Sequence, residues 1–233
     1  MPKTKRISNW PSAIVFDLDG TLVDSAGDIA SALNELLESK QLAPFSLEEV
    51  TRFIGDGITT LVQRAFIARG VVVGADELSA HVTQFKKIYG SRATDLTRPY
   101  TGVPELISKL RRRGIAVGIC TNKEEGLAQK IVHALGLSSQ LDVVVGSRPN
   151  RPAKPSPVSL LETVASLGVS HAEAIMVGDS AIDMRCAQYA GISFIGVTFG
   201  YSSPPMSELS ADVAIESYQD FDAACDFLRD RRR

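Results

Sequence analysis

Two acidic residues stand directly after a short apolar segment near the start of the chain. The segment, residues 13–16, reads Ala-Ile-Val-Phe and is too short for a helix, which is typical of a buried strand. Asp17 and Asp19 follow it, and because side chains alternate along an extended chain, both are expected on the same side of the strand end. Ligands of open parallel sheets bind at such carboxyl ends. Two close carboxylates favour a divalent cation or a shared proton, whereas the alternative interpretation is an ordinary Asp-Gly turn.

Further polar side chains follow apolar segments in the second half of the chain. Two of these segments, residues 115–120 and 174–177, are predicted strands, and another polar group lies in a loop stiffened by two prolines. The residues concerned are Thr121, Asn122, Lys154, Asp179 and Asp183. Thr121-Asn122 or Asp179-Ser180 could instead cap the helix that follows, and Lys154 could be a surface lysine. Because sheet ends converge on one crevice, their shared position favours a common site.

The chemical groups in this set are those that phosphoryl transfer needs. Asp17, Asp179 and Asp183 supply carboxylates that could hold a hard cation such as Mg²⁺, which takes oxygen ligands and keeps some waters. A hydroxyl, an amide and an ammonium could surround an anion with donors, and these belong to Thr121, Asn122 and Lys154. No serine or cysteine paired with a histidine base is evident, because the three histidines fall in predicted helices away from these loops.

The periodicity of apolar residues predicts the elements that position these groups. From residue 24 to about residue 87 the period is helical, with one weak strand candidate at 71–73. Two helix starts in this block resemble capping boxes, namely Ser25 with Asp28 and Ser46 with Glu49. We therefore expect an all-helical block.

From residue 97 onward the pattern changes to strands that alternate with amphipathic helices. The helices are predicted near 103–110, 127–135, 156–167 and 181–190, and the strands at 115–120, 143–145, 174–177 and 194–197. Such alternation predicts an α/β fold with a Rossmann-like parallel sheet covered on both faces. Since the first strand precedes the helical block, we predict a core domain of residues 1–22 and 97–233. An all-helical cap domain, residues 23–96, is inserted into it.

Length, charge and cysteine content exclude several classes of protein. The chain of 233 residues has a net charge of −2, which gives no general attraction to nucleic acid or membrane. Basic residues cluster at the two ends, in Lys3-Thr4-Lys5-Arg6 and in Arg229 with Arg231 to Arg233, and are interpreted as solvated termini. No apolar run suits a membrane span or a signal peptide, and three cysteines without metal-ligand spacing indicate reduced thiols. We expect a cytoplasmic monomer or homodimer that acts on a small molecule.

The four polar groups match, in chain order, the four motifs of the haloacid dehalogenase superfamily. The motifs are Asp17-Leu-Asp19-Gly-Thr21, Thr121-Asn122, Lys154-Pro-Ser-Pro and Gly178-Asp179-Ser180-x-x-Asp183. The match spans nearly the whole chain, and the helical block resembles the mobile cap of that superfamily. Three shorter stretches resemble the phosphoglycolate phosphatases in particular, and related sugar-phosphate and nucleotide phosphatases share some of them. These are Asp24-Ser25, Phe53 to Gly57 with Arg64-Ala65, and Gly196 to Tyr201.

This resemblance implies a role for each motif residue. Asp17 would attack phosphorus to form an aspartyl-phosphate, and Asp19 would protonate the leaving alcohol and then deprotonate the attacking water. The phosphoryl oxygens would be held by Thr121, Asn122 and Lys154. Mg²⁺ would be bound by Asp17, the backbone carbonyl of Asp19, and Asp179, with Asp183 in support. Because dehalogenases and phosphonatases of the superfamily lack an aspartate at the position of Asp19, dehalogenation is disfavoured.

Selectivity for a substrate must come from outside the motifs, since they recognise only phosphate and metal. Within the cap, Gly55-Asp56-Gly57 interrupts the helical pattern, and its flexible backbone could present N–H groups to an anion. Arg64 on the following helix is the leading candidate to bind a substrate carboxylate, and Arg52 is the weaker one. Both arginines could equally be solvated helix residues.

The leading substrate on this basis is 2-phosphoglycolate, and other functions stay open. The same core supports other small-molecule phosphatases, a pyrophosphatase, and a phosphomutase of the β-phosphoglucomutase kind. A mutase would depend on a bisphosphate activator. A binding module without catalysis is disfavoured because no motif aspartate is missing.

Overall fold

The computed structural model describes residues 10–232, so the basic residues Lys3 to Arg6 and Arg233 lie outside the described range. The strands are β1 (Ala13–Phe16), β2 (Val23–Asp24), β3 (Arg98–Pro99), β4 (Ala116–Glu124), β5 (Val143–Ser147), β6 (Ala174–Gly178), β7 (Ser193–Val197) and β8 (Val213–Ile215). The helices are α1 (Ala26–Glu38), α2 (Leu47–Thr51), α3 (Ile58–Ala68), α4 (Ala75–Arg92), α5 (Val103–Arg112), α6 (Glu125–Ala134), α7 (Val158–Ser166), α8 (Ala181–Ala190) and α9 (Phe221–Asp230).

The core is a six-stranded parallel sheet in the order β5-β4-β1-β6-β7-β8. The central strand β1 is buried on both faces, as its unbroken apolar sequence predicts. Ile14 and Phe16 pack on the side of α5, α6 and α9, whereas Ala13 and Val15 pack on the side of α7 and α8. The predicted Rossmann-like α/β fold is confirmed.

Two features of the sheet differ from the sequence prediction. Strand β4 was predicted to end at residue 120, but it continues to Glu124, which pairs with Ser147 after a register shift. The polar motif at 121–122 therefore lies within an irregular strand end, because the neighbouring β5 still offers pairing partners. The edge strand β8 was not predicted, since its three residues are too few for a periodic signal. Helix α9 was also missed, although its buried residues Phe221, Ala224 and Leu228 have helical spacing.

The helical block from α1 to α4 has an apolar core of its own. Leu33, Phe66, Phe85 and Tyr89 are among its most buried side chains, and the weak strand candidate at 71–73 forms no strand. The capping box predicted for α2 is confirmed, because Ser46 Oγ accepts from Glu49 N and the Glu49 carboxylate accepts from Ser46 N.

The capping box predicted for Ser25 and Asp28 is wrong. Ser25 Oγ donates to Asp19 Oδ1 at 2.5 Å and makes no hydrogen bond to its own helix. Asp28 is buried and accepts from the backbone N–H groups of Leu96 and Thr97 and from the Thr97 hydroxyl, at 2.7–3.1 Å. Asp28 therefore ties the first helix to the segment in which the chain returns to the sheet.

The chain passes between the sheet and the helical block twice, at adjacent places. Strands β2 and β3 pair antiparallel there, with Val23 opposite Pro99 and Asp24 opposite Arg98. This ribbon lies next to both predicted domain boundaries, at 22/23 and 96/97, and the division into two domains at those residues remains our proposal. Among residues 10–232, no helix has the length and apolar character that a membrane crossing requires.

Candidate active site

The carboxyl ends of β1 and β6 bring three carboxylates together. Asp17, Asp179 and Asp183 are all buried, and one oxygen from each lies within 4.8 Å of the others. Parallel register places them there, because Phe16 and Val177 are neighbours across the two strands, and Asp17 N donates to Val177 O at 2.9 Å. These three residues were predicted to hold a cation, and the structure places them as one cluster.

The start of α8 fixes Asp183 within this carboxylate cluster. Ser180 is the N-cap residue of α8, and its Oγ accepts from Asp183 N at 3.2 Å while also contacting Asp183 Oδ2 at 2.5 Å. A side chain at Gly178 would collide with the Asp183 carboxylate, so only glycine allows this approach. Ser180 and Asp183 thus form a capping box at the start of α8, so the expectation that Ser180 could cap this helix is met.

Lys154 supplies positive charge inside the carboxylate cluster. Its Nζ lies 2.9 Å from Asp17 Oδ1 and 2.6 Å from Asp183 Oδ1, and it donates to Cys120 O at 2.9 Å. The side chain is only 2% exposed. Burial alone would lower the pKa of this ammonium, but the carboxylates of Asp17 and Asp183 raise it well above its ordinary value. Lys154 is therefore charged and cannot be the surface lysine of the alternative interpretation.

The cluster nevertheless keeps an excess of negative charge. Burial raises the pKa of Asp17 from 3.8 to about 6, with Lys154 opposing the rise and Asp183 adding to it. Burial and repulsion from Asp183 and Asp17 also raise the pKa of Asp179 well above its usual range. Asp17 Oδ1 is buried and has the Lys154 ammonium as its ion-pair partner at 2.9 Å. Because the cluster is rich in oxygen atoms and only partly neutralised by Lys154, it fits a hard divalent cation.

Asp19 lies beside the cluster but turns toward the helical block. Both of its oxygens are 2.8 Å from Lys123 Nζ, and one accepts the Ser25 hydroxyl. Lys123 is buried, lies over the Tyr89 ring of α4, and has a pKa that the Asp19 carboxylate raises against the effect of burial. Sequence reasoning missed Lys123 as a site residue. The available signal was its place directly after the predicted strand-end motif.

The motif residues Thr121 and Asn122 have different surroundings. Thr121 is buried next to the carboxylates, and its Oγ1 accepts from Lys123 N at 3.2 Å. The Asn122 amide donates to Gly55 O at 3.2 Å and to Lys154 O at 3.1 Å, and its oxygen accepts from Lys154 N at 2.8 Å. In this structure, the Asn122 side chain thus joins the helical block to the lysine loop.

Asp179 is held by two loops that approach it closely. Thr21 Oγ1 donates to one of its oxygens at 3.3 Å, and Tyr201 N donates to the other at 2.7 Å. Side chains at Gly20 or Gly200 would collide with Asp179, and Gly20 also has a φ of +78°. Thr21 and Tyr201 contact the site although sequence analysis gave neither a role in it.

Two openings lead away from Asp19, and they differ in character. A small pocket of about 50 Å³ lies between the aspartates and apolar side chains of the helical block. Its apolar lining is Ile29, Ile58, Leu61, Phe85 and Tyr89, and Gly55 and Gly57 also border it. A larger cleft of about 300 Å³ extends past Asp179 and is bordered by Gly55, Asp56 and three arginines, which are Arg52, Arg64 and Arg185.

The three arginines of this cleft are in different electrostatic states. Arg64 pairs with Asp56 at 2.5 Å, and Arg52 pairs with Glu48 at 2.6 Å on the exposed surface of α2. Arg185 on α8 is exposed and makes no ion pair within residues 10–232. Arg64, the predicted specificity residue, thus borders the cleft, but its charge is already paired with Asp56. Arg185 was missed because nothing in its sequence surroundings distinguishes it from a solvated helix residue.

Known proteins share both the sequence and the fold. A family model described as haloacid dehalogenase-like hydrolase matches residues 14–197. A phosphoglycolate phosphatase of Caulobacter vibrioides is 36% identical over 214 residues, which cover 92% of this chain and 90% of that protein. One from Cereibacter sphaeroides is 39% identical over 84% of this chain and 89% of its own length.

A solved structure of similar sequence has the same architecture. The crystal structure of a protein of Haemophilus somnus, described as a predicted phosphoglycolate phosphatase, superposes with a TM-score of 0.85 at 29% identity. The superposition covers 91% of this chain and 96% of that one. With the four motifs gathered at one edge of the sheet, the chain belongs to the haloacid dehalogenase-like hydrolase family.

Proposed function

We propose that this phosphatase hydrolyses small phosphomonoesters through a phosphorylated aspartate, with Mg²⁺ as cofactor and 2-phosphoglycolate as the leading substrate. The observation that carries the proposal is the buried cluster of Asp17, Asp179 and Asp183 around Lys154. The relatives of this chain that are named phosphoglycolate phosphatase support 2-phosphoglycolate as the substrate. A cytoplasmic location, a small phosphorylated metabolite as partner, and a monomeric or homodimeric state belong to the same proposal.

In the first step of the proposed reaction, Asp17 is the nucleophile. A carboxylate oxygen of Asp17 forms a bond to phosphorus while the bond from phosphorus to the ester oxygen breaks. Lys154, 2.9 Å from Asp17, offsets negative charge on the phosphoryl oxygens, and the Thr121 hydroxyl donates to them. The contact of Asn122 with these oxygens stays part of the proposal, although its amide here donates to Gly55 O and Lys154 O. Mg²⁺ held by Asp17, the Asp19 carbonyl and Asp179, with Asp183 in support, would add charge stabilisation to this step.

Asp19 transfers the protons in both steps of the proposed reaction. As the carboxylic acid it gives a proton to the departing ester oxygen, and as the resulting carboxylate it takes one from the water that attacks the aspartyl-phosphate, which restores the acid. Ser25 and Lys123 hold its carboxylate beside the nucleophile. Hydrolysis returns Asp17 to its starting state and releases inorganic phosphate.

Two observations favour different leaving groups. The arginine-bordered cleft supports an anionic leaving group such as glycolate. The small apolar pocket beside Asp19 instead supports an uncharged one, and it makes another small phosphomonoester the second candidate. Measuring phosphate release from a panel that includes 2-phosphoglycolate, sugar phosphates, glycerol phosphates and pyrophosphate decides between them. A requirement for a sugar bisphosphate activator would indicate a mutase.

We expect Asp17→Asn to keep the fold and lose turnover, because an amide cannot attack phosphorus and binds Mg²⁺ poorly. Asp19→Asn should slow turnover by about two to four orders of magnitude, since it removes only acid–base assistance. Phosphate release at saturating substrate measures both, and circular dichroism checks folding. Asp95→Asn, on an exposed turn, is the matched control and should retain full activity. Activity of Asp17→Asn within about tenfold of the wild type would reject covalent catalysis.

Asp179→Ala should sharply raise the Mg²⁺ concentration needed for half-maximal activity, because it removes one of few anionic ligands. Ca²⁺ should inhibit the wild type, since its larger and looser coordination misplaces Asp17 relative to phosphorus. Activity is measured across a Mg²⁺ titration with and without Ca²⁺. Full activity in excess chelator is the outcome that contradicts the metal assignment.

Arg64→Ala should raise KM for 2-phosphoglycolate by about tenfold while changing KM for para-nitrophenyl phosphate much less. Arg185→Ala is expected to act in the same direction, because it borders the same cleft and has no ion-pair partner among the described residues. Arg52→Ala, whose partner is Glu48, is the comparison and should have the smallest effect. If all three variants treat the two esters alike, the cleft does not select an anionic leaving group.

A further inference from the structure

Tyr201 connects the carboxylate cluster to the start of the helical block. It lies in the loop after β7, and its backbone N donates to Asp179 Oδ2 at 2.7 Å. Its hydroxyl donates to Asp24 Oδ1 at 2.7 Å and accepts from the backbone N–H groups of Ser25 and Ala26, at 2.7 and 3.1 Å. One donor and both lone pairs of the hydroxyl are therefore engaged.

This hydroxyl accepts from the two outermost backbone N–H groups at the start of α1, those of Ser25 and Ala26. The first N–H groups of a helix need acceptors, which the N-cap residue usually supplies. Ser25 is the N-cap residue here, but its Oγ donates instead to Asp19 Oδ1 at 2.5 Å. Tyr201 and Asp24 Oδ1, which accepts from Ala26 N at 3.2 Å, thus supply acceptors at this helix start, while the Ser25 hydroxyl holds Asp19.

The surroundings of Tyr201 fix its position. A side chain at Gly20 would meet both the Tyr201 ring and the Asp179 carboxylate, so the ring packs directly against the backbone that follows the nucleophile strand. Burial raises the pKa of the Tyr201 hydroxyl above its ordinary value, which keeps it protonated as the donor to Asp24. The contact joins parts of the chain that lie 176 residues apart.

We propose that Tyr201 is a positioning residue for Asp19. By fixing the first turn of α1 relative to Asp179, it sets the place of Ser25 Oγ and, through it, of the Asp19 carboxylate. The inference rests on the proposed function, in which a proton passes from Asp19 to the ester oxygen as the bond from phosphorus to that oxygen breaks. A misplaced Asp19 carboxylate would weaken this transfer while the proposed metal ligands, including the Asp19 backbone carbonyl, keep their positions.

The need for that proton depends on the leaving group. Loss of the positioning role should therefore slow hydrolysis of some esters more than that of others. An alkyl phosphate expels a strongly basic alkoxide and needs general-acid assistance, whereas para-nitrophenyl phosphate expels a stable phenolate. The ratio kcat/KM reports on steps up to departure of the leaving group, before water attacks the aspartyl-phosphate. A positioning role therefore affects alkyl esters selectively, whereas general structural damage lowers both.

The test is Tyr201→Phe, which removes the hydroxyl and keeps the backbone N–H donated to Asp179. We expect kcat/KM for an alkyl phosphate to fall about ten- to hundredfold, kcat/KM for para-nitrophenyl phosphate to fall less than about threefold, and the Mg²⁺ requirement to stay unchanged. Ser25→Ala should give the same pattern, and the double variant should lose little beyond the larger single effect. Tyr189→Phe on the exposed face of α8 is the control and should match the wild type.

Equal losses for the two esters, no loss for either, or additive effects of the Tyr201 and Ser25 substitutions would overturn the inference. Asp19→Asn separates this failure from failure of the proposed function. If Asp19→Asn discriminates strongly between the esters and Tyr201→Phe does not, only the positioning role is wrong. If Asp19→Asn itself does not discriminate, the acid–base assignment fails and the role of Tyr201 fails with it.

Discussion

Repulsion among three buried carboxylates is the constraint on which the site depends. Asp17, Asp179 and Asp183 lie at the carboxyl edge of a sheet whose central strand has no solvent contact, and Lys154 offsets only part of their charge. The raised pKa values of Asp17 and Asp179 express this imbalance. This imbalance of charge supports the proposal that the cluster binds a divalent cation.

The surrounding structure is arranged to hold this unfavourable cluster in place. Glycines at 20, 178 and 200 let loops approach the carboxylates more closely than any side chain would permit, and the start of α8 fixes Asp183. The loss of folding stability that this cluster causes depends on pH. Because folding raises the pKa of Asp17 from 3.8 to about 6, the folded metal-free protein binds protons more tightly than the unfolded chain. Its stability should therefore decrease as pH rises through that interval, and a bound cation should offset the loss.

The sequence was sufficient to predict the fold class and the carboxylate cluster, because both follow from local patterns. Apolar runs that end in aspartates give strand ends, and parallel strand ends meet at one edge. Contacts between side chains distant in sequence were not accessible in this way. Lys123 pairs with Asp19, which lies 104 residues earlier in the chain. Because of this pairing, a residue at the end of β4 contacts the proposed acid–base group. Likewise, periodicity does not specify side-chain directions. It therefore could not show that Arg64 pairs with Asp56, or that Ser25 donates to Asp19 instead of capping its helix.

The most direct test of the account is the free energy of unfolding of the wild type and Asp179→Asn at pH 7.5, in chelator and in Mg²⁺. Asparagine keeps an acceptor for Tyr201 N and removes one charge from the cluster. We predict that in chelator the variant is at least as stable as the wild type, and that Mg²⁺ stabilises the wild type much more than the variant. A variant clearly less stable than the wild type in chelator, together with no stabilisation of the wild type by Mg²⁺, would contradict the account.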